Sequence, residues 1–335
     1  MTRLSRRLVT GSAAVVILTS SVVLACNIPV FRFALERWQP DPSEVIVFFE
    51  SDLPDDDAAT VKELEMASSR NGGLANLQVI RCDLRTNQDQ ELQNLWLSTK
   101  EKTRLPLPAV VIRSLKGQGQ TINYWRGRVD ELRRDRILES PVRAELTKRL
   151  QSGDAVVWLL VSSMDPQKTL AARKLLEAQC QTLPGEIELP EGIGLPGSEL
   201  YSEVPLLLQF SVLEIAREDP REQYLIQQFS GFQADAFAKG EPLIVPVFGR
   251  GRALEVIPAS QLSAELIQDL TRFLCGACSC QVKEQNPGFD LMLTTNWHLA
   301  LFGEDAEGPP PEAAEGAGQK RTPELVPIPS GRKKK

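Results

Sequence analysis

Histidine is almost missing from this chain: His298 is the single one among 335 residues. A nucleophile–histidine–acid triad would have to be built on it, and the sequence offers His298 no partner residues. No G-x-x-x-x-G-K-[ST], H-E-x-x-H or G-x-S-x-G occurs, so phosphate-loop, zinc-protease and nucleophile-elbow chemistry have no motif. A basic surplus is missing too, since 38 Lys and Arg are outnumbered by 44 Asp and Glu. That balance leaves no electrostatic footprint for nucleic acid, and the one concentrated basic run is 332–335. Cysteine is sparse, with 6 residues whose spacing is not that of a small disulfide-stapled domain.

What the sequence does have at its start is an uncharged run of 24 residues, 8–31, behind Arg3, Arg6 and Arg7. The run contains Val23-Leu24-Ala25-Cys26, a cysteine preceded by small and aliphatic residues. This stretch resembles the lipobox of bacterial lipoproteins, and 1–25 resembles their signal peptide. The resemblance implies cleavage after Ala25 and lipidation of Cys26. The alternative is an uncleaved helix, since the run is long enough to span a bilayer. Either reading places the basic end in the cytoplasm and the body outside it, in the cell envelope on the periplasmic face. Membrane lipid is then one partner, and an unidentified envelope protein another.

From residue 26 onward 310 residues remain, enough for two domains of ordinary size. Without the leader, 35 Lys and Arg face 44 Asp and Glu, a net charge of −9. Residues 26–43 crowd their apolar side chains together and end at Pro40 and Pro42. The expectation is a short membrane-proximal helix, docked on the first domain or lying at the bilayer surface.

An ordered pattern follows. Residues 45–49 are a continuous apolar run of strand length, as in a strand buried on both faces. Further strands are predicted at 77–84, 109–112 and 121–126, with helices at 58–69, 89–97, 129–138 and 141–150. Ser140 and Pro141 mark the last helix start. The same order returns with strands at 155–161, 206–215, 243–248 and 253–257 and helices at 167–181, 220–229 and 262–274. The offset grows from 110 residues at the first strand to about 133 at the hairpin, which fits one insertion at 183–202. The fold class is α/β, a duplicated βαβαββα unit over 44–153 and 154–302 with two separate sheets. Residues 289–302 turn apolar again and should pack across the second domain. Residues 303–335, rich in Pro, Glu, Ala and Gly, are expected to be disordered.

This element order is similar to the thioredoxin fold, and so is a proline just before each third strand, Pro108 and Pro242. The whole resembles an uncharacterised bacterial lipoprotein with tandem thioredoxin-like domains. In that family the proline is cis and faces the active-site turn, so the resemblance implies the same of Pro108 and Pro242. The catalytic Cys-x-x-Cys belongs between first strand and first helix, where the helix N-terminus lowers the thiol pKa. Here those turns read Ser51-Asp52-Leu53-Pro54-Asp55-Asp56 and Ser162-Ser163-Met164-Asp165-Pro166, with no cysteine in either.

The remaining thiols are Cys82, Cys180, Cys275, Cys278 and Cys280. Cys82 lies in a predicted strand and reads as a small buried hydrophobe. Cys275, Cys278 and Cys280 follow a helix C-terminus, whose negative dipole raises a thiol pKa. Three readings stay open for them: a structural disulfide, within the cluster or to Cys180; a zinc or copper(I) site completed by His298; or a redox site. Gly249-Arg250-Gly251-Arg252 reads as a hairpin turn or an anion contact. The sequence therefore favours a non-catalytic, membrane-anchored binding or scaffold protein that needs no cofactor. The alternative is an envelope thiol or metal protein working through the cysteine cluster.

Overall fold

Each half of the chain is built around a strand too apolar to face water. The computed structural model describes residues 27–116, 120–278, 282–304 and 308–309, and begins with α1 (Val30–Arg37). The first unit comprises β1 (Ser43–Phe49), α2 (Asp55–Ala67), β2 (Leu77–Asp83), α3 (Gln90–Thr103), β3 (Ala109–Lys116), β4 (Gln120–Arg128), α4 (Val129–Arg134) and α5 (Pro141–Gln151). The second comprises β5 (Val156–Val161), α6 (Pro166–Thr182), β6 (Phe210–Ile215), α7 (Gln223–Phe232), α8 (Ala234–Ala238), β7 (Leu243–Phe248), β8 (Arg252–Ala253), β9 (Ile257–Pro258) and α9 (Ala264–Cys275). The described chain closes with β10 (Phe289–Asp290) and α10 (Trp297–Phe302).

The pairing order repeats. In the first unit β1 runs parallel to β2 and antiparallel to β3, which forms a hairpin with β4. In the second β5 runs parallel to β6 and antiparallel to β7, which pairs with β8 and β9. Pro246 explains why the last hairpin arm is two short strands rather than the one expected at 253–257. It has no N–H to donate from the middle of β7, so the ladder breaks between the Ile244 and Val247 pairings. The Leu107–Pro108 bond is cis, as expected, whereas the bond before Pro242 is trans, contrary to expectation.

The expected separation into two sheets is incomplete. Phe289 of β10 pairs with Lys116 of β3 and with Ala253 of β8, joining both sets of strands into one ten-stranded sheet. The segment at 289–295 therefore lies between the units instead of across the second alone. Asn76 fixes it, donating to the Leu291 carbonyl at 3.1 Å and accepting from the Leu293 amide at 2.6 Å. A second seam is α7 against β4, where the Tyr124 and Tyr224 hydroxyls hydrogen-bond to each other and their rings meet edge-on at 5.7 Å.

Helix ends follow local chemistry. The Ser140 hydroxyl accepts from the Arg143 amide at 2.9 Å, with Pro141 at the first helical position as expected. Asp89 and Asp165 cap α3 and α6 in the same way. Several helices outrun their predicted limits, α3 extending to Thr103 before Arg104 turns left-handed at φ 55°.

The largest departure from expectation concerns α1. It does not dock on the first unit or lie at a surface; every residue from Val30 to Glu36 is buried, against the second unit. One face of β5 and β7 packs on α1, α6 and α9 through Trp158, Phe33, Leu176 and Ile267. The other face packs on α5, α7 and α10 through Val157, Leu146, Phe229 and Trp297. The reason is coverage. A central strand apolar on both faces needs two layers, and α1 supplies part of one.

The turn after β7 is shaped for α1. Gly249 has φ 59°, and a Cβ there would lie 2.7 Å from the Ala34 Cβ. Gly249→Ala should therefore cost about 1–3 kcal/mol in urea unfolding, from left-handed strain plus overpacking. A cost below about 0.5 kcal/mol would mean that α1 is not held tightly there.

Candidate functional site

The two turns that would carry catalytic thiols in the thioredoxin arrangement can be inspected directly. In the first, Pro54 precedes α2 and Asp55, Asp56 and Asp57 fill its first turn, where acids complement the positive helix end. In the second, Ser163 occupies the space. Its hydroxyl donates to the Gly240 carbonyl beside Pro242 and accepts from the Asp165 amide at 2.9 Å. Its own amide donates to the Thr169 hydroxyl at 2.8 Å, and the Asp165 carboxylate caps α6. The turn thus faces the Pro242 loop, with hydrogen bonds where a disulfide would exchange.

Burial makes poor nucleophiles of Cys82, Cys180 and Cys275. Cys82 in β2 is buried as expected, and burial raises its pKa, with Asp89 and Asp83 adding to the effect. Burial pushes Cys180 up to about 12, and Cys275 likewise up to about 12. For Cys275 the cause is desolvation in the α1–α9 core, not the helix dipole on which the sequence expectation rested. Cys278 is buried in the same core, and its amide donates to the Ile28 carbonyl at 2.9 Å. Cys26 and Cys280 lie outside the described residues.

His298 is not brought to these sulfurs. It sits exposed on α10, its ring 5.5 Å from that of Phe302, and α10 packs on the opposite face of the second unit from Cys275 and Cys278. Among the described residues no group of three or more His, Cys, Asp and Glu is placed to hold a metal ion. His298 instead helps to line a cleft of about 830 Å³ with Arg37, Asn76, Arg250, Trp297 and Phe302. That size suits a small ligand, but the polar heads of Arg37, Asn76 and Arg250 are engaged. Arg250 donates to the Leu35 and Glu36 carbonyls, both at 2.7 Å, and to Gln39 at 2.9 Å. Arg37 reaches Glu36 and the Glu199 carbonyl.

Two buried charge clusters escaped the sequence reading. Glu36 accepts from Arg32 at 2.8 Å, from Arg37 at 3.1 Å and from the Tyr201 and Ser202 amides, both at 3.1 Å. Arg32 also donates to the Ser202 carbonyl at 2.7 Å, so the pair clamps the insertion to α1. In the second cluster Asp290 meets Arg252 at 3.2 Å, Lys283, and the Asp41 amide at 2.6 Å. Arg250 and Arg252, the proposed anion contacts, are both consumed internally. The available signals were Arg32 and Glu36 at i,i+4 spacing in an otherwise apolar helix, and Asp290 inside the apolar run around β10.

Compared with known proteins, the chain matches no family model, and no curated protein aligns with it at a significant level.

Proposed function

We propose that this protein is a membrane-anchored, non-catalytic binding or scaffold protein of the cell envelope, made of two thioredoxin-like units. The observation that carries the reading is the state of the turns: neither has a thiol, and Ser163 closes the second with its own hydrogen bonds. The repeated strand order supports the likeness of the units. The lipobox-like Val23-Leu24-Ala25-Cys26 supports the anchor, and the body would meet an envelope protein partner outside the cytoplasm. No helix among the described residues is long and apolar enough to cross a membrane.

Thiol exchange by Cys275 would face a large handicap. Burial pushes its pKa up to about 12, so the thiol form dominates at pH 7. Purified protein should therefore reduce insulin no faster than a variant with Cys275, Cys278 and Cys280 all replaced by serine. Turnover by the wild type that vanishes in the variant would establish the thiol reading instead.

A further inference from the structure

We propose that the end of the second unit around Asn27 rests on the lipid surface, with Leu195 and Phe273 as its contacts, while the first unit stands away from the membrane. This rests on the anchored reading above and adds the orientation that the anchor imposes.

Residue 27 is tied directly to the second unit. The Asn27 amide donates to the Ser198 hydroxyl at 3.0 Å, and Ile28 is fully buried. Pro29 bridges Ala277 in antiparallel fashion, the Val30 amide donates to the Gly276 carbonyl at 3.0 Å, and α1 continues into the core. Backbone fixed in this way leaves no slack between residue 27 and the second unit. One residue reaches at most about 3.6 Å, so an anchor on Cys26 holds this end of the molecule at the bilayer.

The surface at that point has the matching character. Leu195 is 61% exposed on the insertion, and Phe273 is 43% exposed in the last turn of α9. Gly192, at φ 86°, brings the insertion against the chain exit: a Cβ there would lie 3.0 Å from Asn27 Nδ2 and 3.7 Å from Leu195 Cδ1. Phe273 lies one turn before Gly276, the residue that holds Val30. The insertion over 183–202 carries Glu186, Glu188, Glu191 and Glu199 and no Lys or Arg. Attraction to anionic headgroups is therefore not what seats it; burial of apolar side chains at the acyl boundary is.

The test uses the full chain in phosphatidylcholine vesicles doped with a photoactivatable lipid. After flotation and illumination, adducts are located by mass spectrometry. The expected result is labelling at Leu195 and Phe273 and none at Met66 or Leu97, which are 60% and 61% exposed on the first unit. The yield should not change between low and high salt. It should fall several-fold in the Leu195→Asp, Phe273→Asp double variant, which should still float. Adducts on the first unit, or none beyond residue 26 in a chain that floats, would overturn the orientation and leave the anchor standing. A chain that does not float would overturn both.

Discussion

Replacing Glu36 with glutamine is expected to lower the unfolding free energy by about 3–5 kcal/mol, read from the urea midpoint at unchanged slope. Arg32 is 1% exposed and Glu36 fully buried, so loss of the carboxylate leaves a guanidinium in the core without its countercharge. Burial already pulls the Arg32 pKa down with Glu36 in place, a sign of how weakly the charge is solvated. The amide would also present donors to Arg32, Arg37 and two backbone amides that need acceptors. The double variant Arg32→Met, Glu36→Leu should recover most of the loss, because a packed apolar pair removes the desolvation cost. A single variant within about 1 kcal/mol of wild type would show that water reaches the pair.

A comparable loss, about 3–5 kcal/mol at neutral pH, is expected of Asp290→Asn, which leaves Arg252 beside an uncharged side chain and Lys283 with Asp41, at 3.0 Å, as its remaining carboxylate. This site also has a pH signature. Burial alone would raise the Asp290 pKa, but Lys283, Arg252 and the Asp41 amide outweigh it and hold the carboxyl below its ordinary value. A depressed acid contributes fully above its unfolded pKa of about 3.9 and loses that contribution as pH falls through the folded value. Asp41 runs the other way: burial and the neighbouring Asp290 raise it, so acidification relieves its cost. The wild type should lose stability below about pH 4, and Asp290→Asn should flatten that limb. Equal acid limbs in urea titrations at successive pH values would exclude Asp290 as their source.

The strands were legible because periodicity reports burial directly. Residues 45–49 and 155–161 have no polar face, and both became central strands. Periodicity does not report what covers a strand, and there the reading failed. The crowded apolar residues of α1 were read as docking on the first unit or lying at the bilayer, whereas its partners Ser202 and Arg250 lie 170 and 214 residues away in the second. Two-residue β10 is too short to leave a pattern, so the join between the sheets was invisible. The burial of Arg32, Glu36, Arg252 and Asp290 was not legible, because such side chains are rarely buried unless paired and their pairs are set by tertiary structure. The empty turns were legible, since a missing cysteine is a fact of the sequence. The distance of His298 from the sulfurs was not, because it depends on which face of the second unit α10 covers.

The position of α1 also sets a timetable for the newborn chain. Its apolar residues are made before either unit, yet the Arg250 that grips its last carbonyls is 214 residues later, and the residues that close the first unit's sheet come later still. Throughout that interval α1 has no permanent home, and the first unit lacks the Asn76 partners at Leu291 and Leu293. Contacts this distant delay the last step of folding until nearly the whole chain is available. The two halves therefore mature as one object: the second uses α1, already made, and the first waits on residues 289–293.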